Sequence, residues 1–166
     1  MKSTGRENGL EINNEIDERY HIEKSTQVAC DYLNEAYERF GNWTLAAASY
    51  NMGMAGTARR LAEQGVESYY DLLLNSETAR YVYRIAAVKH IHENLEEFGY
   101  VYHQDQGYSF PKMDTISVNT AVTDWISWAK AQGITYNTLR IYNPWIQSQQ
   151  LSNSTNKAYH IWVPSK

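Results

Sequence analysis

The sequence predicts a mainly α fold: a helical bundle followed by a small α+β module of strand, helix, helix, strand. Three features predict it. Apolar residues recur at three- and four-residue steps through most of the first 97 positions, the period of a helix with one buried face. The period shortens to alternation at Thr115–Asn119 and again at Ala158–Val163, as in half-buried strands. Between the two regimes Phe98 to Pro111 keeps neither period and holds Gly99, Gly107 and Pro111 among several tyrosines. The expected division is a helical domain at 1–97, a connecting arm at 98–113 and the small module at 114–166.

From Ile22 to Phe40 the residues Val28, Tyr32, Leu33, Ala36, Tyr37 and Phe40 mark one helix stripe, which Gly41 ends. Asn42 suits the N-cap of a second helix, Trp43 to Asn51, apolar all round in its Leu45-Ala46-Ala47-Ala48 run and therefore expected in the core. Gly53 and Gly56 are expected to bracket a turn before a short helix from Thr57 to Gln64, closed by Gly65. A longer helix is expected after Ser76 as N-cap, with Glu77 in its first turn and Tyr81, Ile85, Val88, Ile91 and Leu95 turned inward. In the module, helices are expected from Val122 to Gln132, ended by Gly133, and from a Thr135 cap to Asn143-Pro144, where proline forbids continuation.

Fifteen Lys and Arg against nineteen Asp and Glu give a net charge of -4, which argues against a nucleic-acid partner, since that needs clustered Lys and Arg. Fourteen Tyr and five Trp against three Phe favour rings with a polar edge, which suit carbohydrate faces and interfaces. Cys30 is a single cysteine, so no intrachain disulfide forms. His90 and His92, two apart on a helix, diverge. No metal or other cofactor is expected.

Tyr50 and Asn51 at a helix end, with Glu77 and Tyr81 four apart on another helix face, suit the lining of a sugar site. Asn51 supplies both donor and acceptor. Plainer roles fit the same residues: Asn51 tolerates left-handed geometry before Gly53, and Glu77 suits a helix first turn. Trp125, Trp128, Trp145 and Trp162 fit either sugar stacking or the core of a small module.

Four blocks in order resemble the transglycosylase SLT domain, the goose-lysozyme-like enzymes that cut peptidoglycan glycan strands. They are Met1 to Leu10; Asp17-Glu18-Arg19-Tyr20 leading to Glu23-Lys24-Ser25-Thr26; Phe40-Gly41-Asn42-Trp43 leading to Ala48 to Gly53; and Glu77 to Val82. The branch they look most like is the membrane-bound lytic murein transglycosylase D group. Asn143-Pro144-Trp145 is similar to a segment of LysM modules, which bind N-acetylglucosamine chains.

The resemblance implies a truncated lysozyme-like bundle with a LysM-like tail. It implies cleavage of the β-1,4 bond between N-acetylmuramic acid and N-acetylglucosamine, giving a 1,6-anhydro product through one glutamic acid that acts first as acid and then as base. In the family that glutamate stands in a Glu-Ser motif upstream of a block whose Met aligns with Met1. The catalytic acid is therefore expected before residue 1, and this chain is expected to be inactive.

Carried over by resemblance, Tyr50, Asn51, Glu77 and Tyr81 contact substrate, and Asn143 and Trp145 are further glycan contacts in the tail. The alternative function is a non-catalytic peptidoglycan-binding module. The implied partner is the peptidoglycan strand, in the periplasm of the bacterial envelope, with outer-membrane attachment for a full-length protein. Self-association through the face that truncation uncovers is also expected.

Overall fold

The computed structural model describes residues 2–165, Gln104 by its backbone alone. The described residues form seven α-helices and two strands: α1 Lys2–Glu7, α2 Ile22–Phe40, α3 Trp43–Met52, α4 Met54–Gln64, α5 Ser76–Glu93, β1 Met113–Val118, α6 Trp125–Ala131, α7 Tyr136–Tyr142 and β2 Tyr159–Pro164. The described residues gather into two compact units, one of residues 2–28 with 109–165 and the other of residues 29–108. The first 28 residues thus pack with the C-terminal segment.

In the first unit β1 and β2 pair antiparallel, from Met113 opposite Pro164 to Val118 opposite Tyr159. α6 and α7 complete the strand, helix, helix, strand order, with Trp125, Ala129, Leu139, Trp145, Ile146, Ile161 and Val163 in the core. A two-stranded sheet with two short helices is marginal alone. This one gains Ile16, 0% exposed, from the N-terminal segment.

Ile16 bridges Ile146 in antiparallel fashion. Asp17 N donates to Trp145 O at 2.9 Å and Gln147 N to Glu15 O at 2.7 Å. The Glu15 carboxylate accepts from both N and Oγ of Ser152, at 2.8 and 2.7 Å. Arg6 holds the turn before this segment by donating to Ile12 O at 3.1 and 2.7 Å. Gly5 packs closely beside it, since a Cβ there would stand 2.7 Å from Ile12 Cδ1 and push that methyl group aside.

In the second unit α3 is central and packs on α4 and α5. Its buried residues Leu45, Ala46, Ala48 and Ser49 are mostly small, which lets neighbouring backbones approach. Leu45, Ala48 and Tyr69 form the core with Phe40, Leu61, Leu72, Leu74 and Val82 around them. The Asn42 cap holds, its Oδ1 accepting from Leu45 N at 2.9 Å, and Gly65 closes α4 in the left-handed conformation.

Several expected boundaries move. Gly53 alone makes the α3–α4 joint, with φ +84°, and Gly56 lies inside α4. The N-cap of α5 is Asn75, whose side chain accepts from the N–H groups of both Glu77 and Thr78, and Ser76 is the first helical residue. Val122 pairs with Leu151 instead of starting a helix; α6 begins after Asp124, which caps Ile126 and Ser127. The expected inward stripe of α5 is not buried along its length: Ile85 is exposed and Val88 is 67% exposed. Residues 98–110 are largely open, with Phe98, Tyr100, Val101, Tyr102, Tyr108 and Phe110 exposed.

Because Ile16 fills a site walled by the C-terminal core, Ile16→Ala in this chain should lower unfolding stability by about 3 kcal/mol, the usual scale for such a truncation. Urea unfolding followed by tryptophan fluorescence measures it, and a loss below about 1 kcal/mol would contradict the packing.

Candidate functional site

The last turn of α3 carries Tyr50 and Asn51, and the first turn of α5 carries Glu77 and Thr78. The two turns are tied through one amide. Asn51 Nδ2 donates to Glu77 Oε1 at 3.1 Å, and Asn51 Oδ1 accepts from Thr78 Oγ1 at 2.8 Å. The α5 turn is itself clamped: Asn75 Oδ1 accepts from Glu77 N and Thr78 N, both at 3.0 Å. From the other side Tyr69 Oη, in a buried ring, reaches Thr78 O at 2.9 Å and Ala79 O at 2.8 Å.

Tyr50 is 48% exposed and stands edge-on to Tyr32, ring centroids 5.5 Å apart. Tyr32 Oη donates to Ser49 O at 2.8 Å and accepts from Met54 N at 3.1 Å, stitching the α3–α4 joint. Tyr81 lies one turn beyond Glu77 on α5, half-buried. Burial, then the neighbouring Tyr50, push its phenol above the ordinary tyrosine range. Tyr50, Asn51, Glu77 and Tyr81 therefore share one face of the helical unit, with a fixed amide and an exposed carboxylate beside two ring hydroxyls. Such a face offers hydrogen-bond donors and acceptors next to flat apolar surface, the pairing a pyranose needs.

Asn143 and Trp145 have different surroundings. Asn143 is 1% exposed; Nδ2 donates to Leu139 O at 2.9 Å and Trp162 O at 2.8 Å, and Oδ1 accepts from Trp162 N at 2.8 Å. Its amide joins the end of α7 to β2. Trp145 is 4% exposed, stacked on His21 at 5.7 Å and on Tyr159 at 5.9 Å. Burial lowers the basicity of the His21 imidazole. Trp125 is fully buried in the same core, while Trp128 and Trp162 are half-buried.

Asp17 and Glu18 are the buried acidic side chains among the described residues. Arg19 pairs with Asp17 at 2.5 Å and holds its carboxyl below the ordinary range despite burial. Burial pushes the Glu18 carboxyl up, but hydrogen bonds from Lys24 and Glu11 N and the Lys157 charge outweigh it, leaving it lowered. Lys157 also pairs with Glu11 at 2.6 Å, and Glu11 accepts from Tyr159 Oη at 3.0 Å. Burial and then the Glu11 carboxylate push the Tyr159 phenol far above its ordinary value. Both buried carboxyls are thus ionised at neutral pH, the reverse of what a proton donor needs. Among the described residues no group of three His, Cys, Asp or Glu could hold a metal ion, and no helix is long and apolar enough to cross a membrane.

Thr78, Tyr32 and Tyr69 were not among the expected site residues. Thr78 had a signal, since it stands inside the Glu77-Thr78-Ala79-Arg80-Tyr81 block. The reach of Tyr32 and Tyr69 to backbone groups of other elements had none.

Residues 1–73 match the family model described as transglycosylase SLT domain, and residues 114–166 match that described as soluble lytic transglycosylase C-terminal LysM-like domain. Tyr50 and Asn51 fall inside the first match, and Asn143 and Trp145 inside the second. Glu77, Thr78 and Tyr81 fall in neither. No curated protein matches the chain. The matches indicate a lytic transglycosylase family, with peptidoglycan as substrate or binding partner.

The lowered carboxyls set an acid limit to stability. Groups whose folded values lie below their unfolded ones, near 3.8 for Asp17 and 4.5 for Glu18, contribute fully above those values and lose the contribution as pH falls through the folded ones. The urea midpoint should hold from pH 7 to about 5 and fall below about 4. Glu18→Gln should lower it at neutral pH and flatten the acid loss, and an unchanged acid slope in that variant would contradict the assignment.

Proposed function

We propose that this chain, with its SLT and LysM-like segments, is the glycan-contacting part of a peptidoglycan lytic transglycosylase, acting on the N-acetylmuramic acid β-1,4 N-acetylglucosamine bond with a 1,6-anhydro product. The observation that carries the proposal is the tie of Asn51 to Glu77 and Thr78. It fixes a neutral donor–acceptor group beside the exposed Tyr50 and half-buried Tyr81, on a turn that the SLT match covers.

Roles follow from chemistry. Asn51 has one further amide hydrogen and one further lone pair to offer a sugar amide or hydroxyl. Glu77 shapes the polar side of the face and aligns Asn51, and Tyr50 and Tyr81 wall it with ring surface. Asp17 and Glu18 are ion-paired and ionised, so neither serves as the acid that protonates the leaving oxygen. Neither is therefore assigned as the proton donor, and this chain binds glycan without cleaving it. The residue blocks favour the membrane-bound lytic murein transglycosylase D group within the family, and a place of action in the periplasm of the bacterial envelope, where the substrate lies.

Incubated with purified sacculi, this chain should release no 1,6-anhydro-muropeptides by chromatography and mass spectrometry. It should nevertheless sediment with the insoluble glycan, and Asn51→Ala should weaken that retention roughly tenfold, the scale of a lost hydrogen-bonding side chain. Anhydro product from this chain would overturn binding without cleavage, and equal retention of Asn51→Ala would overturn the assignment of the face.

A further inference from the structure

We propose that Thr78 is a positioning residue of this face: its hydroxyl and the Glu77 carboxylate together hold the Asn51 amide still, so that a glycan meets it in one orientation. The inference rests on the glycan reading of the site and adds a residue that does not itself touch the ligand.

Thr78 is 1% exposed and is held at every polar group it has. Its N–H donates to Asn75 Oδ1 at 3.0 Å, its carbonyl accepts from Tyr69 Oη at 2.9 Å, and its hydroxyl donates to Asn51 Oδ1 at 2.8 Å. The hydroxyl is therefore a fixed point. An asparagine amide turned by half a revolution exchanges a carbonyl for an NH2 group and would fit the same space. Here the turn is opposed by Glu77: it would set Oδ1 against the carboxylate that now accepts from Nδ2 at 3.1 Å, while the Thr78 hydroxyl anchors the inner end of the amide.

With Oδ1 on Thr78 and one Nδ2 hydrogen on Glu77, the second Nδ2 hydrogen remains as the donor offered outward. Without the hydroxyl the amide is held by Glu77 alone, its torsion is broad, and the donor offered outward is no longer fixed in direction.

Thr78→Val keeps the shape of the buried side chain and removes only the hydroxyl, while Thr78→Ser keeps the hydroxyl and removes a methyl group. Two readouts on the whole chain separate orientation from stability. The first is the side-chain amide signals of Asn51 by nitrogen-15 NMR. The second is calorimetric affinity for soluble peptidoglycan glycan strands stripped of peptide. Thr78→Val should shift the Asn51 amide signals and weaken binding roughly five- to tenfold, as loss of one hydrogen bond predicts, with a cooperative melt retained. Thr78→Ser should keep both near the parent.

Unmoved amide signals in Thr78→Val overturn the proposal whatever the binding. Moved signals with unchanged affinity overturn it as well, because orientation would then not matter to the ligand. If neither parent nor variants bind glycan while the amide signals still move, the functional reading falls and the orienting role of Thr78 stands.

Discussion

The docking of residues 11–18 against the C-terminal module is the constraint on which the first unit depends. A hairpin-like pair of strands with two short helices buries little apolar surface, and the segment contributes to it a fully buried side chain, Ile16, and backbone hydrogen bonds on both sides of the Ile16–Ile146 bridge. Around that bridge Glu11, Glu18, Lys24, Lys157 and Tyr159 form a charged network that crosses from one end of the sequence to the other. Glu18 is the buried member of this network, and removing Lys24 or Lys157 leaves its carboxylate with less compensation for burial. Physical units and family boundaries therefore differ: the first 28 residues fall within the SLT match and pack with the module that carries the LysM-like match.

In the second unit the organising contact is smaller. α3 can lie close to α5 because its inward residues are alanines, a serine and one leucine, and this brings the end of one helix to the start of the other. A helix start exposes unpaired N–H groups. Asn75 satisfies two of them, Tyr69 grips the carbonyl side, and Asn51 closes the gap through Thr78 and Glu77. What faces outward is set by these inner bonds: two tyrosines, one oriented amide and one carboxylate.

The local features of this architecture were legible in the sequence because local rules write them. The α2 helix span, the Asn42 and Thr135 caps, the Gly65 stop and the alternation of both strands each follow from residues within a few positions of one another. Adjacent Ser76 and Asn75 are equally good caps by type, and only geometry selects Asn75. Gly56 reads as a breaker, yet the unusual backbone needed for the turn is taken entirely by Gly53.

Nonlocal features were hidden. Glu11 and Tyr159 stand 148 positions apart, and the N-terminal segment pairs through single bridges that leave no strand pattern. Asn143 and Trp145 show the converse. Residue types that suit a sugar also suit a small core, and burial assigns the Asn143 amide to joining helix and strand. Tyr50, Asn51, Glu77 and Tyr81 were legible as a group, but the bond that ties the Asn51 amide to the buried Thr78 was not.

The central claim is that a peptidoglycan glycan strand meets this chain on the face built from Tyr50, Asn51, Glu77 and Tyr81. The most direct measurement is an NMR titration of the isotope-labelled chain with peptide-free glycan strands. The account predicts that the Asn51 side-chain amide and the ring signals of Tyr50 and Tyr81 shift together along one saturating curve. Saturating shifts confined to residues outside that face, with the Asn51 amide unmoved, would contradict it.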